Sequence, residues 1–450
     1  MVSTQLYRGI LSPPDKEGTL MRTERISIRQ FAWMVTVLLV GTSLFTLTRQ
    51  LPRIASQDAW LSYILPAIYA FAVAALFSML AARYPGKNIF EIAREAAGRW
   101  AGGALNGLLI AHFLLIAIRD LKLIAFFSQS TLLGATPIEI ILFLLVLATV
   151  YYASLSIEDH ARVIELIFPF MVLFTLITPF LLTGDMNLSR LEPFLVVHPG
   201  RLGMSSLIQA ASFGDLLIMG AFLHTLARAS AIHVALRKGI LISTILLTAI
   251  LLLIINVLGE DLASDLTYPA FTMIEQLQLT DFLDRLEIFI LFVWVPFATM
   301  KSVLTFAAIL YGLSSFFGHR SMNRFHIPLG LLLLFASYFS FDSVIDVFAF
   351  SMLPNVLNQA AVQIVLFGIL LLAVLFRRTA GSSNDTDHAS PGLVRTTALL
   401  LAAAAILLPA LFLAKTHAWV GDACALGYVC LLLLAFASSY SEVREVKKIE

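Results

Sequence analysis

Five charged residues stand where an apolar sequence should hold none. Arg119, Asp120 and Lys122 interrupt one hydrophobic run, Asp215 a second and Lys301 a third. At membrane depth each costs roughly 2.5–3.5 kcal/mol on insertion scales, so each needs a partner or a function. An acid and a lysine in the middle of such runs can hold a zwitterion, carry a proton or stand in for a bound cation. They can also be a plain ion pair that holds two helices together, and both readings stay open at this point. Lys301 has no acidic residue within ten positions on either side, so a protein counter-charge must come from another helix. Arg119 and Lys122 are three apart and share a helical face; Asp120 lies about 100° away and can pair only laterally.

Other chemistries lack their residues. No HExxH, GxSxG, P-loop or usable GxGxxG is present, and no nucleophile is paired with a base, so an enzyme is not expected. His112 and His224 are isolated within apolar runs. Cys424 and Cys430 offer no metal spacing and no disulfide framework, and they fill space. Neither a cofactor nor a metal is expected. A net charge of +1 excludes a basic nucleic-acid binder.

The elements that must position these charges are membrane spans. Of the 450 residues 59% are hydrophobic and 13% charged, against about 45–50% and 25% in soluble chains. The mean hydropathy is +0.89, and the apolar residues fall in runs near 30–48, 59–80, 103–128, 137–155, 163–183, 205–227, 238–258, 286–312, 326–341, 351–376, 396–415 and 419–438. Most have the ~20 residues that cross a bilayer. With the N-terminus inside, cytoplasmic segments collect 21 of the 30 Lys and Arg and the external loops six, which places both termini in the cytoplasm. Residues 1–29 are polar and read as a cytoplasmic segment, not a cleaved signal.

The spans fall into two sets. A short amphipathic helix is expected between spans 2 and 3, with Asn88 and Glu91 as a capping box and Ile89, Phe90, Ala93, Ala97 and Trp100 on its apolar face. Another is expected between spans 7 and 8, begun by Pro269 and faced by Phe271, Ile274, Leu277 and Phe282. An offset of five spans with the sides exchanged is what an inverted five-plus-five repeat requires. The halves are 30–183 and 184–376; span 1 then pairs with span 6. Those two spans carry Gly41-Thr42-Ser43 and Ser212-Phe213-Gly214-Asp215 near their middles. Small residues there ease close helix packing, but as a matched pair with Asp215 they point to unwound segments lining a transporter-like site. Residues 377–394 read as a cytoplasmic linker, and 395–450 as an accessory two-helix hairpin with its tail.

Several stretches together resemble a known family. They are "ISIRQ" at 26–30, "GTSLFTLTRQLP" at 41–52, "DAWLSYIL" at 58–65, "YPGKNIFEIARE" at 84–95, "LLGATP" at 132–137, "SIEDHARVIEL" at 156–166, "LEPFL" at 191–195, "SFGD" at 212–215, "YPAFTMI" at 268–274, "FLDRLEIFILFVWV" at 282–295 and Lys301. In this order and spacing they resemble the endospore germinant-receptor B subunits, permease-like proteins of the amino acid–polyamine–organocation transporter superfamily. The resemblance covers residues 26–376. It implies an all-α, inverted-repeat membrane fold like that of amino-acid transporters and a role in sensing a small nutrient, typically an amino acid. It further implies an A subunit and a C-subunit lipoprotein as partners, in the spore inner membrane or the cell membrane. By resemblance the ligand pocket involves Gly41, Ser43, His112, Ile116, Gly214, Asp215 and Thr299, with Lys301 as a cation mimic or coupling group. Related chains commonly have Gly where Ser43 stands, Pro where Thr48 stands and Glu where Asp215 stands, and usually stop after span 10. The competing function is an autonomous proton-coupled amino-acid permease.

Overall fold

A computed structural model describes residues 25–226, 228–276, 286–317, 322–376, 391–413 and 418–449, all of its regular structure helical. The chain enters α1 (Ile28–Val40) through a capping box in which the Ser27 hydroxyl accepts from the Gln30 amide at 3.1 Å. The helix stops at Gly41 and Thr42 and resumes as α2 (Ser43–Ala55). A 3-10 segment (Ser56–Tyr63) then leads into α3 (Ile64–Arg83). In α4 (Ile89–Thr131) Asn88 and Glu91 close the capping box at 3.0 and 3.1 Å. Gly98, at φ 85°, breaks its helical geometry and separates the short amphipathic stretch from the span. The first half ends with α5 (Ile138–Ala153) and α6 (Ile157–Leu181).

The second half repeats the plan. Its first span is α7 (Pro199–Phe213), which changes at Gly214 into a 3-10 segment (Gly214–Thr225). Next come α8 (Ala229–Leu258), the short α9 (Glu260–Asp265) and α10 (Pro269–Glu275), and α11 (Leu286–Phe317). Of the expected amphipathic element in this loop, Pro269, Phe271 and Ile274 lie on α10, whereas Leu277 and Phe282 fall outside the described residues. The ninth span is α12 (Met322–Ser340), followed by α13 (Val344–Ser351) at a bend of 99°. Then come α14 (Leu353–Phe376), α15 (Pro391–Leu413) and α16 (Ala418–Ile449).

Among the described residues eight helical stretches are long and apolar enough to cross a membrane, or nine with the bent pair. That is fewer than the twelve runs in the sequence because α1, α5 and α15 are shorter apolar helices by the same measure. The protein is a multi-pass integral membrane protein. Large apolar side chains such as Leu166, Phe180, Phe339 and Ile364 are exposed, which in a bilayer faces them to lipid.

The C-terminal hairpin is packed more intimately than its composition suggests. α16 runs past the expected end of span 12 and carries Glu442 into the protein, 3.5 Å from Arg237 of α8; both are buried. Thr396 of α15 bonds the same carboxylate, and Tyr428 packs edge-on against Trp60, with ring centroids 5.7 Å apart.

Candidate functional site

The two helix breaks meet around one carboxylate. Asp215 is the second residue of the 3-10 segment and has no exposed surface. Lys301 of α11 donates to its Oδ2 at 2.7 Å, and Arg119 of α4 donates to the same oxygen at 3.0 Å. Gln359 of α14 donates from Nε2 to Oδ1 at 2.7 Å. Asp120 answers the second positive charge: Arg119 bonds its Oδ1 at 2.9 Å and Lys301 lies 3.2 Å from its Oδ2. Two cations and two carboxylates therefore close into a neutral, buried cluster drawn from two helices and one break. Buried charges are tolerated on these terms, when the count balances and hydrogen bonds take up the remaining lone pairs.

The first break joins through Thr42, whose hydroxyl accepts from Lys301 Nζ at 2.8 Å. Lysine thus links both breaks, reaching the 3-10 segment by its carboxylate and the first span by a side chain. The close approach depends on glycine. A Cβ on Gly41 would stand 2.7 Å from the Val37 carbonyl and 3.3 Å from Lys301 Cβ. One on Gly214 would stand 2.7 Å from Gln359 Oε1 and 2.8 Å from Gln363 Nε2.

A chain of neutral groups extends the cluster. Gln363 donates to Gln359 Oε1 at 3.1 Å and to the Gly214 carbonyl at 3.2 Å, and Tyr69 donates to Gln363. His112 meets Gln359 Oε1 at 3.2 Å through Nε2 and Asn358 at 3.1 Å through Nδ1. Gly41, His112, Gly214, Asp215 and Lys301 thus come together. Ser43 bonds back to the Leu39 carbonyl at 2.8 Å, and Thr299 to the Val295 carbonyl at 2.7 Å. The Thr299 hydroxyl thus serves its own helix and the Ser43 hydroxyl ties the start of α2 back to α1, while Ile116 adds a buried apolar surface on α4.

Several members of this network were not singled out from the sequence as site residues: Thr42, Tyr69, Asn358, Gln359 and Gln363, with Arg119 and Asp120 noted only as membrane charges. Gln359 and Gln363 were findable. Two amides one turn apart in an apolar span mark one polar face. The shared face of Arg119 and Lys122 divides in the folded chain. Arg119 reaches inward to Asp215, while Lys122 donates to the Tyr338 carbonyl at 3.1 Å near the end of α12, beside the Phe126 and Tyr338 rings. The stems are long enough to carry two heads in opposite directions from adjacent turns.

Comparison with known proteins follows this architecture. The model of a family described as "Spore germination protein" matches residues 25–345. Spore germination protein KB of Bacillus subtilis (strain 168) is 25% identical over 321 residues, covering 70% of this chain and 85% of its own. Spore germination protein A2 of the same organism is 25% identical over 329 residues, covering 71% and 84%. Among solved structures, the nucleobase-cation-symport-1 family transporter Mhp1 superposes with a TM-score of 0.58 at 14% identity, covering 94% of each chain. A Na+-coupled sialic acid symporter gives 0.57 at 11% identity, covering 93% of this chain and 90% of its own. The fold is that of these transporters, with the inverted five-plus-five repeat and two added C-terminal helices.

Proposed function

The chain belongs to the spore germination protein family, and from that premise we propose that it is the membrane subunit of a nutrient germinant receptor. Its ligand is a small molecule of the amino-acid class, bound where the two broken spans meet, between Gly41, Ser43, His112, Ile116, Gly214, Asp215 and Thr299. Both termini lie in the cytoplasm, the membrane is the spore inner membrane, and an A subunit and a C-subunit lipoprotein read out the state of the site. The observation that carries this reading is the Asp215 cluster at the crossing of two helix breaks.

The chemistry suits a switch. Asp215 Oδ1 is held only by a neutral amide, and an ammonium group competes well for a carboxylate that a primary amide occupies, because charge-assisted bonds are roughly twice as strong. A ligand amine at Oδ1 would release Gln359, and with it the links to His112 on α4 and Gln363 on α14. The ligand carboxylate is served by the N-terminus of α2, where unpaired amides and the helix dipole favour an anion. The resulting shift between two states can be no larger than the ligand's differential affinity for them.

Lys301 acts in this scheme as a fixed cation. It bridges the breaks as a bound metal ion or proton would in a coupled transporter, facing Asp215 at 2.7 Å and Asp120 at 3.2 Å. A receptor needs no ion cycle, so a permanent charge suffices, whereas a proton-coupled permease must empty and refill that position. The test is deletion of the gene in its sporulating host. Spores are expected to form normally and to lose the response to one class of nutrient. Normal germination with lost amino-acid uptake by growing cells would establish the permease instead and sink the receptor reading.

A further inference from the structure

One face of the interior carries amide atoms that nothing matches among the described residues. Gln209 of α7 has no exposed surface, and neither end of its amide has a hydrogen-bonding partner. Gln50 Oε1 on α2 and Asn355 Nδ2 on α14 are likewise unmatched, on residues 4% and 1% exposed. α7 packs against both α2 and α14, so the three amides rise from neighbouring helices. They also stand on one side of the breaks. Ser205, one turn before Gln209, bonds Ser62 at 2.6 Å in the segment that follows α2. Gln50 donates to the Phe348 carbonyl at 2.8 Å, just ahead of α14. Gln209 and Asn355 therefore both lie in the direction in which α2 leaves the site, towards the outer face by the distribution of Lys and Arg.

Buried polar groups in folded proteins are nearly always hydrogen-bonded, and a residue kept unmatched is destabilising unless something else completes it. Amides between membrane helices normally bond across to a neighbour. Gln359 and Gln363 do so one and two turns from Asn355, whereas Gln209 is unmatched at both ends and Gln50 and Asn355 at one atom each. The unmatched atoms are two acceptors and two donors: both ends of Gln209, Gln50 Oε1 and Asn355 Nδ2. They carry no charge. The buried acid on this side, Asp58, is fully engaged, accepting from the Leu195 and Val197 amides at 2.7 and 3.1 Å.

We infer that Gln209, Gln50 and Asn355 form the outer part of the ligand site and receive an uncharged group that both donates and accepts, as a primary carboxamide does. This rests on the reading that the ligand's amine lies at Asp215, and it narrows the ligand to an amino acid with an amide-bearing side chain. Gln209 stands six residues before Asp215, ~9 Å along a helix axis. A side chain of glutamine length with a hydrogen bond at each end covers that rise, and an aliphatic side chain would leave the amides unmatched.

The experiment uses the purified full-length protein in detergent, its melting temperature and four probes: L-glutamine, L-asparagine, L-alanine and L-leucine. Without any amino acid, Gln209→Leu should raise the melting temperature, because it removes an unmatched polar group at nearly constant volume. In the wild type the amide-bearing probes should stabilise at concentrations at least tenfold lower than L-leucine. Gln209→Leu and Asn355→Leu should erase that preference. A lower melting temperature for ligand-free Gln209→Leu would mean that the amide is already satisfied, and overturns the inference whatever binds. Equal stabilisation by all four probes in wild type and variants overturns it while leaving the receptor reading intact. No stabilisation by any probe overturns both.

Discussion

The protein buries charge in two places, and the two are built differently. At the crossing of the breaks, four charges share five contacts between 2.7 and 3.2 Å, and each cation faces two carboxylates. At the hairpin junction, one arginine faces one glutamate at 3.5 Å, between helices that run unbroken past the contact. Arg237 also lies over the Phe71 ring at 4.8 Å, and Thr396 holds Glu442 from the third side. The hairpin pair joins finished helices and fastens the last two to α8. The central cluster takes one of its two carboxylates, Asp215, from a segment that is not α-helical, and Gln359 holds the second oxygen of that carboxylate, the position proposed for the ligand amine. In the proposed reading, dense ion pairing over a discontinuous backbone is where the protein changes state, and the Arg237–Glu442 pair between continuous helices is a clamp.

The largest effect should come from removing the shared carboxylate. Asp215→Asn leaves Arg119 and Lys301 facing Asp120 alone, and taking one partner from a buried pair costs about 3–5 kcal/mol. The variant should melt far below the wild type. Asp215→Asn with Lys301→Met restores the charge balance and should recover most of that loss. If the double variant also regains the wild-type nutrient response, the cluster is a clamp like the one at the hairpin and the contrast drawn above disappears. If it folds but stays silent, the contrast stands.

A smaller effect is expected at the hairpin. Glu442→Gln keeps the shape and a bond for Thr396 but removes the counter-charge of Arg237, so the melting temperature should fall, by less than for Asp215→Asn. At a temperature where the variant is folded, its dependence on nutrient concentration should match that of the wild type. A changed dependence with unchanged stability would place the hairpin in the signalling path.

Much of this was legible in the sequence because bilayer physics leaves few options. Runs of apolar residues, small residues at matched depths and the Lys/Arg distribution point to the spans, the breaks and the fold. Asp215 and Lys301 stood out because a charge in an apolar run is expensive wherever it points. Partnership was harder to read, since it depends on which helices touch. Thr42 looked like part of a flexible break, and it is the hydroxyl that Lys301 holds. Gln359 and Gln363 are uncharged and so raise no alarm in a hydropathy profile, although with Asn355 they form a stripe at four-residue spacing. Glu442 was missed for a different reason. The apolar run ends at 438, and the helix does not.

The smallest predicted effect distinguishes holding from switching within the central cluster. Among the described residues Thr42 gives the cluster its one hydrogen bond to the first break, at 2.8 Å from the lysine nitrogen. Thr42→Val keeps the shape and removes the hydroxyl. A hydrogen bond to a charged group contributes about 1.5–3 kcal/mol, but Lys301 retains Asp215 and Asp120, so the loss of stability should fall at or below the lower end of that range. The response should change more than the stability does. Without the hydroxyl the lysine no longer ties α2 to the 3-10 segment, and ligand binding at one break is no longer passed to the other. The expected outcome is a folded protein that binds amino acid with near-normal affinity, measured by melting temperature, in spores that germinate weakly. Equal and small losses in both measurements would reduce Thr42 to packing, and Lys301 would then act on the second break alone.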